Sequence, residues 1–254
     1  MKYVRLCINI ILIPMYTVVG AAILFALFPF FRRRKYIDFL MRLWIRLILV
    51  TSGVKVTVEG QENIKEGKLY VFVANHQSLL DIPACFVAIP ARLRMLAKKE
   101  LFRIPVFGWG MWVVGHILID REKSEKALAS VDRAVERLKT EDISPVVYPE
   151  GTRSIDGKIH RFKKGAFVLA LKAQRDIVPV TIIGSNLVMP KKSLFIKPGR
   201  IHVIIDTPIS ISGWSMENRS ELAKQCQEVI ENNFYKNADV PDNVPGEGKN
   251  TTEQ

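Results

Sequence analysis

Leu69-Tyr70-Val71-Phe72-Val73-Ala74-Asn75-His76-Gln77-Ser78-Leu79-Leu80-Asp81 is the stretch on which the reading of this chain turns. The unbroken apolar run from Leu69 to Ala74 reads as a strand buried on both faces. Asn75-His76 falls at its carboxyl end, where the ligand crevices of open α/β sheets lie. His76 can take a proton, and the Asp81 carboxylate, five residues on, can hold and polarise the ring. Ser78 to Asp81 also fits a capping box, in which Asp81 only satisfies backbone donors at a helix start. Pro83 sits best in a first helical turn, which moves the start of the helix towards Asp81. On a regular helix, positions five apart point about 140° from one another. His76 and Asp81 therefore meet only if a helix begins between them, and the spacing leaves both readings of Asp81 open.

Outward from this stretch, apolar segments alternate with helical stripes. Further strands are expected at Val54–Val58, Arg94–Ala97, Ile117–Asp120, Val146–Tyr148, Val178–Ile183 and Ile201–Ile205. Helical spacing joins Ala127, Leu128, Val131, Ala134, Val135 and Leu138. It also joins Phe162, Ala166, Leu169, Ala170 and Ala173, and again Leu222, Cys226, Val229 and Ile230. The alternation predicts a layered α/β domain: a mixed sheet of about seven strands flanked by helices. A second motif, Tyr148-Pro149-Glu150-Gly151-Thr152-Arg153-Ser154, follows the strand that ends at Tyr148. Glycine lets an anion approach the backbone, and arginine makes forked contacts to phosphate. Read alone, the segment is better taken as an ordinary turn with a surface ion pair between Glu150 and Arg153.

Taken together, the two motifs resemble the signatures of the lysophospholipid acyltransferases, in particular the 1-acylglycerol-3-phosphate acyltransferases. Two further blocks fit in the same order. Lys99-Glu100-Leu101 leads through Pro105 and Gly108 to Gly115 and Asp120-Arg121, and Val178-Pro179-Val180 follows. Tyr148 stands where that family usually has phenylalanine. The resemblance covers roughly residues 70–185. It implies transfer of an acyl group from a thioester, acyl-CoA or acyl carrier protein, to the 2-hydroxyl of lysophosphatidate, forming phosphatidic acid. By resemblance His76 is the base and Asp81 its partner. Arg121, Glu150, Gly151, Thr152 and Arg153 hold the glycerol phosphate, although a carboxylate at Glu150 repels phosphate and fits better as a brace for Arg153 or a hydroxyl ligand. Pro179 shapes the acyl-chain wall; Lys98, Lys99 and Arg103 read either as contacts to the phosphates of coenzyme A or the acidic face of acyl carrier protein, or as a solvated basic surface. No cofactor is expected beyond the thioester co-substrate.

Charge and cysteine usage fit this reading. Lysine and arginine total 37 against 25 acidic residues, a formal charge of +12, which implies an anionic partner. No nucleic-acid-binding motif is present, and the densest basic run, Arg32-Arg33-Arg34-Lys35, directly follows an apolar stretch, as expected for attraction to a lipid surface. Cys7, Cys85 and Cys226 are far apart and odd in number, suggesting a reducing compartment and no disulfide framework. No Cys/His cluster has metal-ligand spacing, so no metal is expected.

Leu6 to Phe31 is almost continuously apolar and long enough for a bilayer span of about 20 residues. From Ile37 to Val50, Asp38, Arg42 and Arg46 form one polar stripe, expected for an amphipathic helix lying in a membrane interface; packing on the enzyme core is the competing reading. Positive charge on both sides favours a half-inserted or hairpin anchor with both ends cytoplasmic. The expected organisation is a helical membrane anchor over 1–50, an acyltransferase domain over 51–236 and a disordered polar tail over 237–254. The expected location is the cytoplasmic face of a membrane, the inner membrane in a bacterium.

Overall fold

The run ending at Ala74 forms the central strand of a seven-stranded sheet in the structure, a computed structural model. Residues 2–27, 34–120, 124–193 and 195–238 are described, with side chains on the first helix from Ile11. Most of the expected tail and the Arg32-Arg33 part of the basic run lie outside the described residues. In chain order the elements are α1 (Lys2–Leu27), α2 (Arg34–Ser52), β1 (Val54–Glu59), β2 (Val71–Ala74), α3 (Asp81–Ala88), β3 (Leu93–Lys98), α4 (Phe107–Val114) and β4 (Ile117–Ile119). There follow α5 (Ser124–Thr140), β5 (Ser144–Val147), α6 (Gly165–Ala173), β6 (Ile177–Ile183), α7 (Ser185–Val188), β7 (Gly199–Ile205) and α8 (Arg219–Ala238).

All seven expected strands form, in the order β1-β7-β6-β2-β5-β3-β4. From β6 to β4 the strands are parallel; β7 runs antiparallel to β6, and β1 is parallel to β7. The alternation of β2 explains its continuous apolarity. Phe72 and Ala74 face a core shared with α2 and α3, whereas Val71 and Val73 face a second core with α5, α6 and α8. With helices on both faces, neither set of positions meets water. The ends of β2, β5, β3 and β4 fall along one edge of the sheet, and that edge carries the chemistry.

The polar stripe of α2 does not face a membrane interface. Asp38 pairs with Arg94 at 2.7 Å and Arg92 at 3.0 Å, and Arg42 donates to the carbonyls of Phe86, Ile89 and Ala91 at the end of α3. Ile37, Met41, Ile45 and Leu49 are buried in the core cluster, while Phe39, Leu43, Leu47 and Val50 point outward. Asp38 and Arg42 are inward partners for distant groups, while Arg46 is exposed, so α2 packs on the core. α1 packs on α2 and α4, with Trp44 Nε1 donating to Thr17 Oγ1 at 3.0 Å. Among the described residues no helix is long and apolar enough to cross a membrane.

His116, between α4 and β4, accepts the Met95 N–H at Nδ1 (3.2 Å). Burial, reinforced by the charges of Arg94 and Arg137, pushes its pKa down to about 3 from 6.5. The unfolded chain takes up this proton below pH 6.5 and the folded chain only near 3. The stability present above 6.5 is therefore lost as pH falls through that window, at up to about 1.4 kcal/mol per pH unit. His116→Asn keeps an acceptor near Met95 and removes the titration. Urea unfolding from pH 7 to 4 should show a shallower loss in the variant; equal slopes would show that other groups set acid stability.

Candidate active site

Asn75 ends β2 by substituting its side chain for the ladder. Its Nδ2 donates to the Ile182 carbonyl (2.8 Å), and its Oδ1 accepts the Ile182 N–H (2.7 Å). The chain then turns away from β6 with His76 at the sheet edge. A turn over Gln77–Leu80 leads into α3, which begins at Asp81 with Pro83 in its first turn. This is the helix start that the five-residue spacing required. His76 Nδ1 lies 2.7 Å from Asp81 Oδ2. The same oxygen accepts the N–H groups of Gln77 and Ser78, each at 2.7 Å. Ser78 is not the helix cap, since its hydroxyl accepts the Leu80 N–H at 3.2 Å and α3 has no side-chain cap; Asp81 instead ties the backbone of the turn before α3 and contacts His76 with the same oxygen.

Asp81 is fully buried, and the His76 side chain is 14% exposed. Two backbone N–H donors and the His76 ring converge on Asp81 Oδ2, and its first-turn position lies at the favourable end of the helix dipole for an acidic side chain. With Nδ1–H donated to Asp81, Nε2 is left as the acceptor, the tautomer that a general base needs. The ring is fixed from the side by Tyr148, stacked at 4.1 Å and 21°. The Tyr148 hydroxyl donates to Cys85 Sγ at 3.8 Å, so the departure from phenylalanine keeps the stack and finds its hydroxyl a buried partner.

The second motif grips the first. Glu150 Oε1 accepts the His76 N–H at 2.7 Å, and Oε2 accepts the His160 N–H at 3.1 Å. Ser154 N–H donates to the His76 carbonyl at 2.8 Å, and Gln77 Nε2 donates to the Gly157 carbonyl at 2.8 Å. Both backbone polar groups of His76 are thus held by the Tyr148–Ser154 segment. Burial raises the Glu150 pKa, and the two backbone N–H groups pull it back. Its carboxylate is spent on positioning His76. Gly151 turns the chain at φ 77°, and a Cβ there would meet Lys163 Nζ at 2.8 Å.

The acyltransferase family model matches residues 55–183, which span both motifs. The chain belongs to the acyltransferase family. Relatives include mouse 1-acyl-sn-glycerol-3-phosphate acyltransferase alpha, 34% identical over 184 residues, 70% of this chain and 65% of that protein. A Chlamydomonas reinhardtii 1-acyl-sn-glycerol-3-phosphate acyltransferase is 38% identical over 153 residues, 59% and 46% of the two chains. The chain thus spans about half to two-thirds of the length of the curated relatives it matches. The crystal structure of the 1-acyl-sn-glycerophosphate (LPA) acyltransferase PlsC from Thermotoga maritima superposes with a TM-score of 0.80 at 29% identity, covering 93% of this chain and 97% of that one.

The remaining expected site residues are dispersed. Lys98 ends β3 on the same sheet edge as His76, half-exposed and 3.5 Å from Glu100. Lys99 pairs with Asp120 at 2.9 Å. Arg121 lies outside the described residues. Pro179 is buried within β6, in register with Val73, short of the level of His76. Cys85 and Cys226 are buried, and burial raises the Cys85 thiol to about 12, so neither is an activated nucleophile. Among the described residues no cluster of histidine, cysteine, aspartate or glutamate is placed to hold a metal. Sequence reasoning missed the bracing by Gln77, Glu150 and Ser154, whose targets are backbone groups and leave no pattern of spacing.

Asp81→Asn separates orientation from charge. Asparagine still accepts the two backbone N–H groups but no longer stabilises an imidazolium. A charge-assisted bond exceeds a neutral one by about 1–2 kcal/mol, so turnover should fall about 5- to 30-fold with a melting temperature within a few degrees. A stable variant with unchanged turnover would leave Asp81 with its backbone bonds alone.

Proposed function

We propose that this chain transfers a fatty acyl group from acyl-CoA or acyl carrier protein to the 2-hydroxyl of 1-acylglycerol 3-phosphate, forming phosphatidic acid. The observation that carries this reading is the 2.7 Å His76–Asp81 contact, with the His76 backbone held by Glu150 of the Glu150–Arg153 turn. Nε2 accepts the hydroxyl proton as the oxygen attacks the thioester carbonyl. Asp81 stabilises the resulting imidazolium, as in hydrolase triads. The tetrahedral intermediate collapses by breaking the carbon–sulfur bond, and the imidazolium returns its proton to the departing thiolate. No acyl-enzyme is needed. Arg153, Gly151 and Thr152, with Arg121, take the acceptor phosphate; Lys98 and Lys99 lie towards the donor and Pro179 towards the acyl chain.

The bilayer is the second part of the reading. Ile11, Met15, Val18 and Phe25 of α1 are more than half exposed, as are Phe39 of α2 and Trp109 and Trp112 of α4, helices that pack on one another. An apolar surface of this breadth is a membrane or partner site, and tryptophans favour the headgroup boundary. The half-inserted anchor then consists of α1, lying on the cytoplasmic face beside its lipid substrate.

Purified protein with labelled acyl-CoA and a panel of lysolipids tests the activity. Transfer to lysophosphatidate supports it. Transfer only to another acceptor moves the reading within the family, and no transfer with vesicle binding intact leaves a lipid-binding protein.

A further inference from the structure

We infer that Lys191, outside both motifs and beyond the segment matched to the family, is a phosphate ligand that selects acceptors bearing a phosphate monoester. The inference rests on the proposed activity and extends its phosphate site. Lys191 arrives from the segment between α7 and β7. That segment is tied to the catalytic turn, because Ser78 Oγ donates to the Met189 carbonyl at 2.7 Å. Two residues on, Lys191 Nζ donates to Thr152 Oγ1 at 3.3 Å and to the Arg153 carbonyl. The residue after it, Lys192, is held at φ 73°, a left-handed conformation that non-glycine residues adopt at a cost and that clusters at functional sites. On the other flank, Lys163 Nζ lies over Gly151, 2.8 Å from where a Cβ would stand.

Two ammonium groups therefore bracket the turn that carries Arg153. The carboxylates of this loop are already engaged. Glu150 holds backbone N–H groups, and Asp156 takes Ser154 Oγ, the Lys158 N–H and His160. Among the described residues Arg153, Lys163 and Lys191 pair with no carboxylate. Uncompensated cations on a glycine turn attract an anion. A phosphate monoester carries about −1.5 to −2 near neutral pH, whereas a phosphodiester headgroup carries a single charge. The third cation therefore favours lysophosphatidate over a diester lysolipid.

The test compares wild type, Lys191→Met and Lys191→Arg in detergent micelles. Lys191→Met should raise the KM for lysophosphatidate about tenfold, as for the loss of one charge-assisted contact. The KM for acyl-CoA and kcat should stay within twofold. The smaller activity towards lysophosphatidylglycerol should hardly change, and Lys191→Arg should recover most of the loss. Inhibition by sn-glycerol 3-phosphate, which carries the phosphate without an acyl chain, should weaken by the same factor. An unchanged KM, or equal losses for both acceptors and the donor, would overturn the assignment and leave Lys191 as a tie between loops. A wild type that prefers diester acceptors, or acylates none, would overturn the activity reading as well, an outcome visible before any variant is made.

Discussion

Replacing His76 with alanine should lower acyl-transfer turnover by about 10³-fold, within the range for loss of a general base. Among the described residues, this imidazole is the only group placed with one nitrogen against a buried carboxylate and the other free to accept a proton. A lipid hydroxyl at neutral pH is otherwise un-ionised, and the proposed phosphate ligands would position it without activating it. The fold should survive. The bonds from Glu150 and Ser154 go to the His76 backbone, which alanine retains. Asp81 keeps two of its three donors, those from Gln77 and Ser78. What is lost is the stack on Tyr148 and one hydrogen bond, a cost of about 1–3 kcal/mol. Steady-state kinetics and thermal melts on the same preparation check both halves. Turnover within a few-fold of wild type would remove His76 from the chemistry, and a collapsed melt would show that the ring is structural.

Much of this architecture was legible in the sequence because apolar strands between helical layers leave an unambiguous trace. Val71 and Val73 serve one core and Phe72 and Ala74 the other, so no polar residue interrupts the run. The His76–Asp81 pair was legible only as a conditional, since its closure depends on where α3 starts. The resemblance brought Glu150 to the site, but its action could not be read from side-chain types. It holds the amides of residues 76 and 160, and any carboxylate looks alike in a sequence. The reading of α2 failed for a related reason. A charged stripe on a helix looks the same whether it meets water or buried partners. The partners of Asp38 and Arg42 lie about fifty residues on, in a buried arginine and the open carbonyls at the end of α3. Helix ends need such donors for their last carbonyls, but nothing at position 42 announces which helix it will cap.

Deleting residues 1–50 should therefore abolish folding rather than merely release the chain from membranes. The deletion removes Ile37, Met41, Ile45, Ile48 and Leu49, all buried. At about 1.5–3 kcal/mol for each buried side chain, their loss approaches the roughly 5–15 kcal/mol that separates most folded domains from unfolded ones. The deletion also uncovers the core surfaces of β1 and α3 that α2 covers. It strips Asp38 from Arg94, which is only 2% exposed. Removing one partner of a buried pair costs about 3–5 kcal/mol, because the remaining charge is stranded. Deleting residues 1–33 is the informative contrast. It removes α1 and its outward apolar surface but leaves α2 on the core. In detergent this shorter deletion should remain folded and transfer acyl groups to micellar lysophosphatidate, while losing flotation with anionic vesicles. The longer deletion should aggregate or show no cooperative melt in the same detergent. A folded, active protein lacking residues 1–50 would show that the α2 contacts are dispensable. Vesicle flotation by the protein lacking 1–33 at wild-type strength would place the membrane surface on α2 and α4 rather than on α1.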